Sequence, residues 1–152
     1  MGQPLAGKHI LVIEDEAVFR FVLSGYLASL GAVVHEAKHG VQALEILQDR
    51  SPDLIICDLK MPQMGGIEFV ERFRLSNIVT PVLVISGTSQ MSDVAKVLRL
   101  GVQDVILKPI KDYSRLRKVV MNCLYSDFFT SESEEIKQIM QDMDPINIAP
   151  HA

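Results

Sequence analysis

Only two cysteines occur in the 152 residues, and no CxxC or metal-type spacing joins them, which leaves no basis for a disulfide framework or a thiolate metal site. Cys57 ends an apolar run and Cys123 falls on the apolar side of a helical pattern, so both are expected as buried, reduced thiols. Positive charge is not in excess either. Fifteen Lys and Arg against nineteen Asp and Glu give a formal charge of −4 and a pI near 5.5, which argues against general attraction to nucleic acid or anionic lipid. No apolar run approaches the roughly 20 residues of a membrane-spanning helix. The N-terminus MGQPLAGKH lacks the charged-then-apolar order of a signal peptide, and position 6 is Ala where a myristoylation pattern has Ser or Thr. A cytoplasmic location is expected. Internal repeats and low-complexity tracts are missing as well. What is present is an ordinary globular balance, 48% hydrophobic and 22% charged, over the length of one domain with a short appendage.

Short apolar runs near residues 10–13, 32–35, 54–57, 82–85 and 104–107 alternate with helical patterns, which predicts an α/β fold with a doubly wound, five-stranded parallel sheet. The first helix is the clearest, since Phe19, Val22, Leu23, Tyr26, Leu27 and Leu30 form one apolar stripe that Gly31 closes. Further helices are expected at about Val41–Leu47, Ile67–Phe73 and Asp93–Leu100. A fifth, behind an Asp112 cap, carries Leu116, Val119, Val120, Cys123 and Leu124. These elements account for residues 8–125. In residues 126–152 the spacing of Ser131 and Glu134 suits a capping box, and Ile136, Ile139, Met140 and Met143 make a short stripe before Pro145. That segment is expected to be a C-terminal helix or linker leading to an output domain.

The chemistry lies at the strand ends. Glu14 and Asp15 follow the first run, Asp58 the third and Lys108-Pro109 the fifth, so a parallel sheet brings all four groups to one edge. That edge is an acidic, metal-binding pocket with one cationic arm. Oxygen-only donors suit Mg²⁺, which favours octahedral oxygen ligation and keeps several waters. Asp15 and Asp58 are expected as direct ligands and Glu14 as a ligand through water. Lys108 can meet an anion as a compact charge, and Ser86, at the end of the fourth run, can donate a hydrogen bond. Gly87 leaves room for close approach, and Gly65-Gly66 permits a tight loop after Asp58. His9, His35, His39 and His151 lack ligand spacing and are expected at the surface or a sheet edge.

The words IEDE, CDLKMPQMGG, VISGT and LKP, in that order, resemble the receiver domains of two-component response regulators. The resemblance implies the flavodoxin-like (CheY-like) receiver fold and Mg²⁺-dependent phosphorylation of Asp58 by a histidine kinase or a small phosphodonor. It implies phosphoryl contacts from Lys108, Ser86 and Gly87, and metal ligation by the backbone carbonyl of Lys60, whose side chain is left free to point outward. It also implies a cis Lys108-Pro109 bond. Such a protein is a stoichiometric acceptor that dephosphorylates itself, not a turnover enzyme.

One position departs from the receiver pattern. Three residues before the lysine, where a switching Tyr or Phe is usual, this chain has Val105, so signalling through an inward-turning ring is not expected. Thr88 and Lys60 hold the positions that tune water access to the acyl phosphate in receivers. Longer stretches, among them GKHILVIEDEAVFR, SPDLIICDLKMPQMGG and AKVLRLGVQDVILKPIKD, are similar to the adaptor branch of the family, which delivers the stationary-phase sigma factor to the ClpXP protease. Sigma factor and protease are the partners this implies. A homodimer through the fourth and fifth helices is a further expectation, and Lys96, Arg99, Lys111, Arg115 and Lys118 would make that face basic. A stand-alone chemotaxis-type receiver and a Mg²⁺-dependent phosphatase are the competing readings; no second acid or base beside Asp58 supports the latter.

Overall fold

The computed structural model describes residues 2–87 and 91–125. Five strands alternate with five helices: β1 (His9–Ile13), α1 (Ala17–Ser29), β2 (Val33–Ala37), α2 (Gly40–Asp49), β3 (Leu54–Cys57), α3 (Gly66–Ser76), β4 (Val82–Ser86), α4 (Met91–Arg99), β5 (Asp104–Leu107) and α5 (Tyr113–Tyr125). All strands pair in parallel, in the order β2-β1-β3-β4-β5. Thr88, the capping-box pair Ser131 and Glu134, the 136–143 stripe, Pro145 and His151 lie outside the described residues.

Because the central strands β1, β3 and β4 are covered on both faces, their sequences are largely apolar, and alternate side chains of the sheet feed two cores. Leu11, Ile13, Ile55, Cys57, Val82, Val84 and Val105 join the core formed with α2, α3 and α4. Ile10, Val12, Leu54, Ile56, Leu83, Ile85 and Ile106 join the core formed with α1 and α5. Tyr26 ties these last two helices together, donating its hydroxyl to the Tyr113 carbonyl at 3.0 Å and meeting the Tyr113 ring edge-on. Asp112 caps α5 as the sequence predicts: its Oδ1 accepts from the Ser114 backbone N–H at 2.9 Å.

Two local expectations need correction. The second strand runs over 33–37 instead of 32–35, because its pairing with β1 sets His9 against Val33 and Ile13 against Ala37. As an edge strand it tolerates the polar His35 and Glu36, so the apolar run underreports its length. The α1 stripe is also narrower than predicted. Leu23 and Leu27 are buried, but Val22 is 45% exposed, since the helix meets the sheet along one side and Val22 falls on its flank.

Arg74 organises the edge opposite the predicted site. Its guanidinium donates to the carbonyls of Asn77, Thr80, Leu100 and Gly101, which joins the end of α3 to the end of α4.

Candidate phosphoryl-acceptor site

Strand register builds the site before any side chain is considered. Ile13 and Cys57 are the last paired residues of β1 and β3, so Glu14 and Asp58 emerge side by side. The ladder continues one step further: the Asp58 N–H donates to the Ile13 carbonyl at 3.1 Å and the Glu14 N–H to the Ala37 carbonyl at 3.0 Å. Strand order reverses between β1 and β3, the place where open α/β sheets open a crevice at their carboxyl ends. On the other side Ser86 pairs with Leu107, and the Lys108 N–H donates to the Ser86 carbonyl at 2.9 Å. The Lys108-Pro109 peptide is cis, as the resemblance implies.

Into this crevice Lys108 extends its ammonium, donating to Glu14 Oε1 at 2.8 Å and to Asp58 Oδ2 at 2.9 Å. The Phe19 ring lies beneath, 4.3 Å from Nζ to its centroid, a cation–π contact that helps hold the lysine in place. An open cleft of about 420 Å³ flanks it, lined by Glu16, Phe19, Lys108, Pro109, Ile110 and Tyr113. The remaining carboxylate oxygens are also engaged. Glu14 Oε2 accepts from the Glu16 N–H at 3.0 Å, and Asp58 Oδ1 accepts from the Leu59 N–H at 2.6 Å.

Glu14, Asp15 and Asp58 form an acidic cluster in which one carboxylate oxygen from each lies within 4.8 Å of the other two. Glu14 and Asp58 are buried, whereas Asp15 is exposed and its carboxylate has no hydrogen-bond or ion-pair partner among the described residues. Three carboxylates against one ammonium leave a formal charge of −2 in a partly desolvated site. Hard oxygen donors with that charge fit a divalent ion of the Mg²⁺ type. Burial, more than any other cause, raises the Glu14 pKa, against the lowering effect of its Lys108 hydrogen bond. For Lys108 burial acts downward, but the hydrogen bonds and charges of Glu14 and Asp58 outweigh it, so the ammonium stays charged to higher pH. Behind Asp58, Cys57 is fully enclosed; burial first, then the charges of Asp58 and Glu14, push its thiol up to about 12.

The other predicted residues fall around this centre. Ser86 is fully buried at the end of β4. Gly87 stands where a Cβ would come within 3.8 Å of the Lys108 side chain. Lys60 differs from expectation. Its side chain is 60% exposed but not free, because Nζ pairs with Asp93 Oδ2 of α4 at 3.0 Å. Sequence reading also missed what Phe19 and Arg20 do. Phe19 reads as core, and Arg20, whose Nη1 donates to the Glu14 carbonyl at 2.7 Å while Nε pairs with Glu36, has no motif around it.

A doubly wound sheet with an acidic cluster and a lysine at its switch point defines a phosphoryl-accepting module of two-component signalling. The chain belongs to the response regulator receiver domain family, whose model matches residues 10–121. Regulator of RpoS from Escherichia coli K12 is 51% identical over 152 residues, all of this chain and 45% of that protein. The chain thus spans about half the length of this curated relative. Chemotaxis protein CheY from Bacillus subtilis is 33% identical over 103 residues, 67% of this chain and 86% of that protein. Among solved structures, a response regulator receiver protein from Pseudomonas putida superposes with a TM-score of 0.71 at 32% identity, covering 76% of this chain and 96% of that one. Membership of that family marks the chain as a phosphoryl-accepting module. No helix among the described residues is long and apolar enough to cross a membrane.

Proposed function

We propose that Asp58 accepts a phosphoryl group, with Mg²⁺ held by Asp15, Asp58 and the Lys60 backbone carbonyl and by Glu14 through water, and that this controls a protein contact. The observation that carries the reading is the pairing of Lys108 with both Glu14 and Asp58 beside an exposed Asp15 that has no partner among the described residues. Mg²⁺, when bound, supplies positive charge against the phosphoryl oxygens. An Asp58 oxygen attacks phosphorus, the bond from phosphorus to the donor's leaving group breaks, and the leaving group departs with the electron pair. The Lys108 ammonium, held charged by its two carboxylates, is placed to follow a phosphoryl oxygen. Ser86, with Gly87 beside it, contributes a hydroxyl donor. The donor is a histidine kinase or a small phosphodonor.

The metal assignment predicts an order of effects. Asp15→Asn is expected to weaken Mg²⁺ binding by about tenfold or more, and Glu14→Gln by less, because the exposed, unpartnered carboxylate can ligate directly while Glu14 is occupied by Lys108 and Glu16. Mg²⁺ titration of the two variants by calorimetry checks it. Equal losses would reverse the two roles.

The receiver unit over residues 8–125 is followed by 126–152 as a connector to an output domain. The protein regulated is, on this reading, a stationary-phase sigma factor delivered to the ClpXP protease by an adaptor of the RssB type. Identity of 51% across all 152 residues with Regulator of RpoS supports it. Immobilised protein is expected to retain purified sigma factor more strongly after treatment with Mg²⁺ and a phosphoryl donor. Retention that is absent in both states would overturn the adaptor reading and leave the phosphoryl acceptor untouched.

A further inference from the structure

Beyond the core packing of Val94 and Val97, two polar contacts among the described residues tie α4 at its two ends. At its C-terminal end Arg74 donates to the Leu100 and Gly101 carbonyls, far from the phosphorylation site. At its N-terminal end the first-turn residue Asp93 pairs with Lys60, two residues beyond Asp58. Of these two contacts, the second involves the loop that carries Asp58. The usual alternative is missing, since Val105 is aliphatic, fully buried and paired in the sheet with Val84, leaving no ring to relocate.

We infer that the Lys60–Asp93 ion pair is the link by which phosphorylation of Asp58 reaches α4. The inference rests on Asp58 being the phosphoryl acceptor. Phosphorylation turns the single negative charge of the Asp58 carboxylate into the about two of an acyl phosphate, on the loop that carries Lys60 and against the single charge that Asp93 offers. The Lys60 ammonium, on a flexible and largely exposed stem, turns toward the phosphoryl oxygens. Asp93 loses its partner, and the first turn of α4 is released while Arg74 keeps the far end fixed. Phosphorylation thus loosens one end of a helix and exposes it to a protein partner. By reciprocity, a partner that binds α4 with Asp93 unpaired favours the phosphorylated state. An ion pair with one partner this exposed supports a coupling of a few-fold, not orders of magnitude.

Hydrogen exchange of residues 91–99, read by mass spectrometry with and without Mg²⁺ and beryllofluoride as a stable phosphoryl mimic, tests the link. Loading is expected to speed exchange of α4 about threefold in the wild type. Asp93→Asn and Lys60→Met should each show that faster exchange already in the unloaded state, with no further change on loading. Lys60→Met is included because it leaves the α4 sequence intact. The exchanged pair, Lys60→Asp with Asp93→Lys, should restore slow exchange and keep it on loading, since a negative residue 60 is repelled by the phosphoryl mimic. Wild-type exchange unmoved by loading, or Lys60→Met exchanging like unloaded wild type, would overturn the link. Intact mass after an acyl-phosphate donor separates the two levels. A wild type that gains no phosphoryl group overturns the acceptor reading and the link together, while full phosphorylation with unmoved α4 exchange overturns the link alone.

Discussion

Asp58→Ala is expected to take no phosphoryl group where the wild type gains one. The measurement is intact mass after incubation with Mg²⁺ and a small acyl-phosphate donor, and chelation of the metal should remove the wild-type gain as well. The loss should be complete because neither neighbouring carboxylate can substitute. Glu14 is buried at the end of β1, where it holds Lys108 and the Glu16 N–H, whereas the receiver pattern places the acceptor at the end of β3. Asp15 is exposed at the rim, where the proposed function gives it to the metal. The fold should survive, because Lys108 keeps Glu14 at 2.8 Å and one like charge is removed from the cluster. An unchanged thermal transition would document that. Phosphorylation of the Ala variant at wild-type extent would move the acceptor to Glu14 or Asp15 and end the assignment.

Gly66→Ala is expected to destabilise the protein by about 3 kcal/mol or more, and to slow phosphorylation of whatever remains folded. A Cβ on Gly66 would collide with the Asp58 carbonyl oxygen and lie 3.0 Å from both the Asp58 carbonyl carbon and Leu59 Cα. These are backbone atoms, so no side chain can swing aside. The Gly66 N–H also donates to the Leu59 carbonyl at 2.9 Å, which ties the start of α3 to the loop bearing the acceptor. Relief of the collision must therefore move α3 or Asp58 itself. Gly25→Ala provides the contrast. Nothing lies within 4 Å of a Cβ there, and the residue sits inside α1, so this change should stabilise by about 0.5–1 kcal/mol. Denaturant unfolding of both variants checks the pair, and equal midpoints would refute the packing argument.

How far the sequence could be read depended on the kind of signal each element carried. α5 was legible because Leu116, Val119 and Val120 recur at helical spacing behind a capping Asp112, and all three are buried. The ends of β2 were not legible, since an edge strand needs no apolar alternation and its length follows from register with β1. The histidines read as surface or edge residues show the same limit. His9 and His35 share a 3.0 Å contact from β1 to β2, and His39 caps α2 by accepting from the Gln42 N–H. Neither arrangement leaves a pattern in the chain, because one depends on strand pairing and the other on a side-chain rotamer.

By itself the sequence determined the architecture and the gathering of Glu14, Asp15, Asp58, Ser86 and Lys108 at one edge. Parallel strands that all end at the same side convert strand-end positions into spatial neighbours, whatever the details of packing. The tertiary structure alone decided how those groups divide their labour. Register set Glu14 and Asp58 within reach of one ammonium, burial separated the enclosed Glu14 from the open Asp15, and a helix distant in sequence supplied Asp93 to Lys60. Each of these is a matter of distance and solvent exclusion between segments that are remote along the chain. Periodicity and motif record which residues lie on an element's buried face, but not which charge from another element will stand a hydrogen-bond length away.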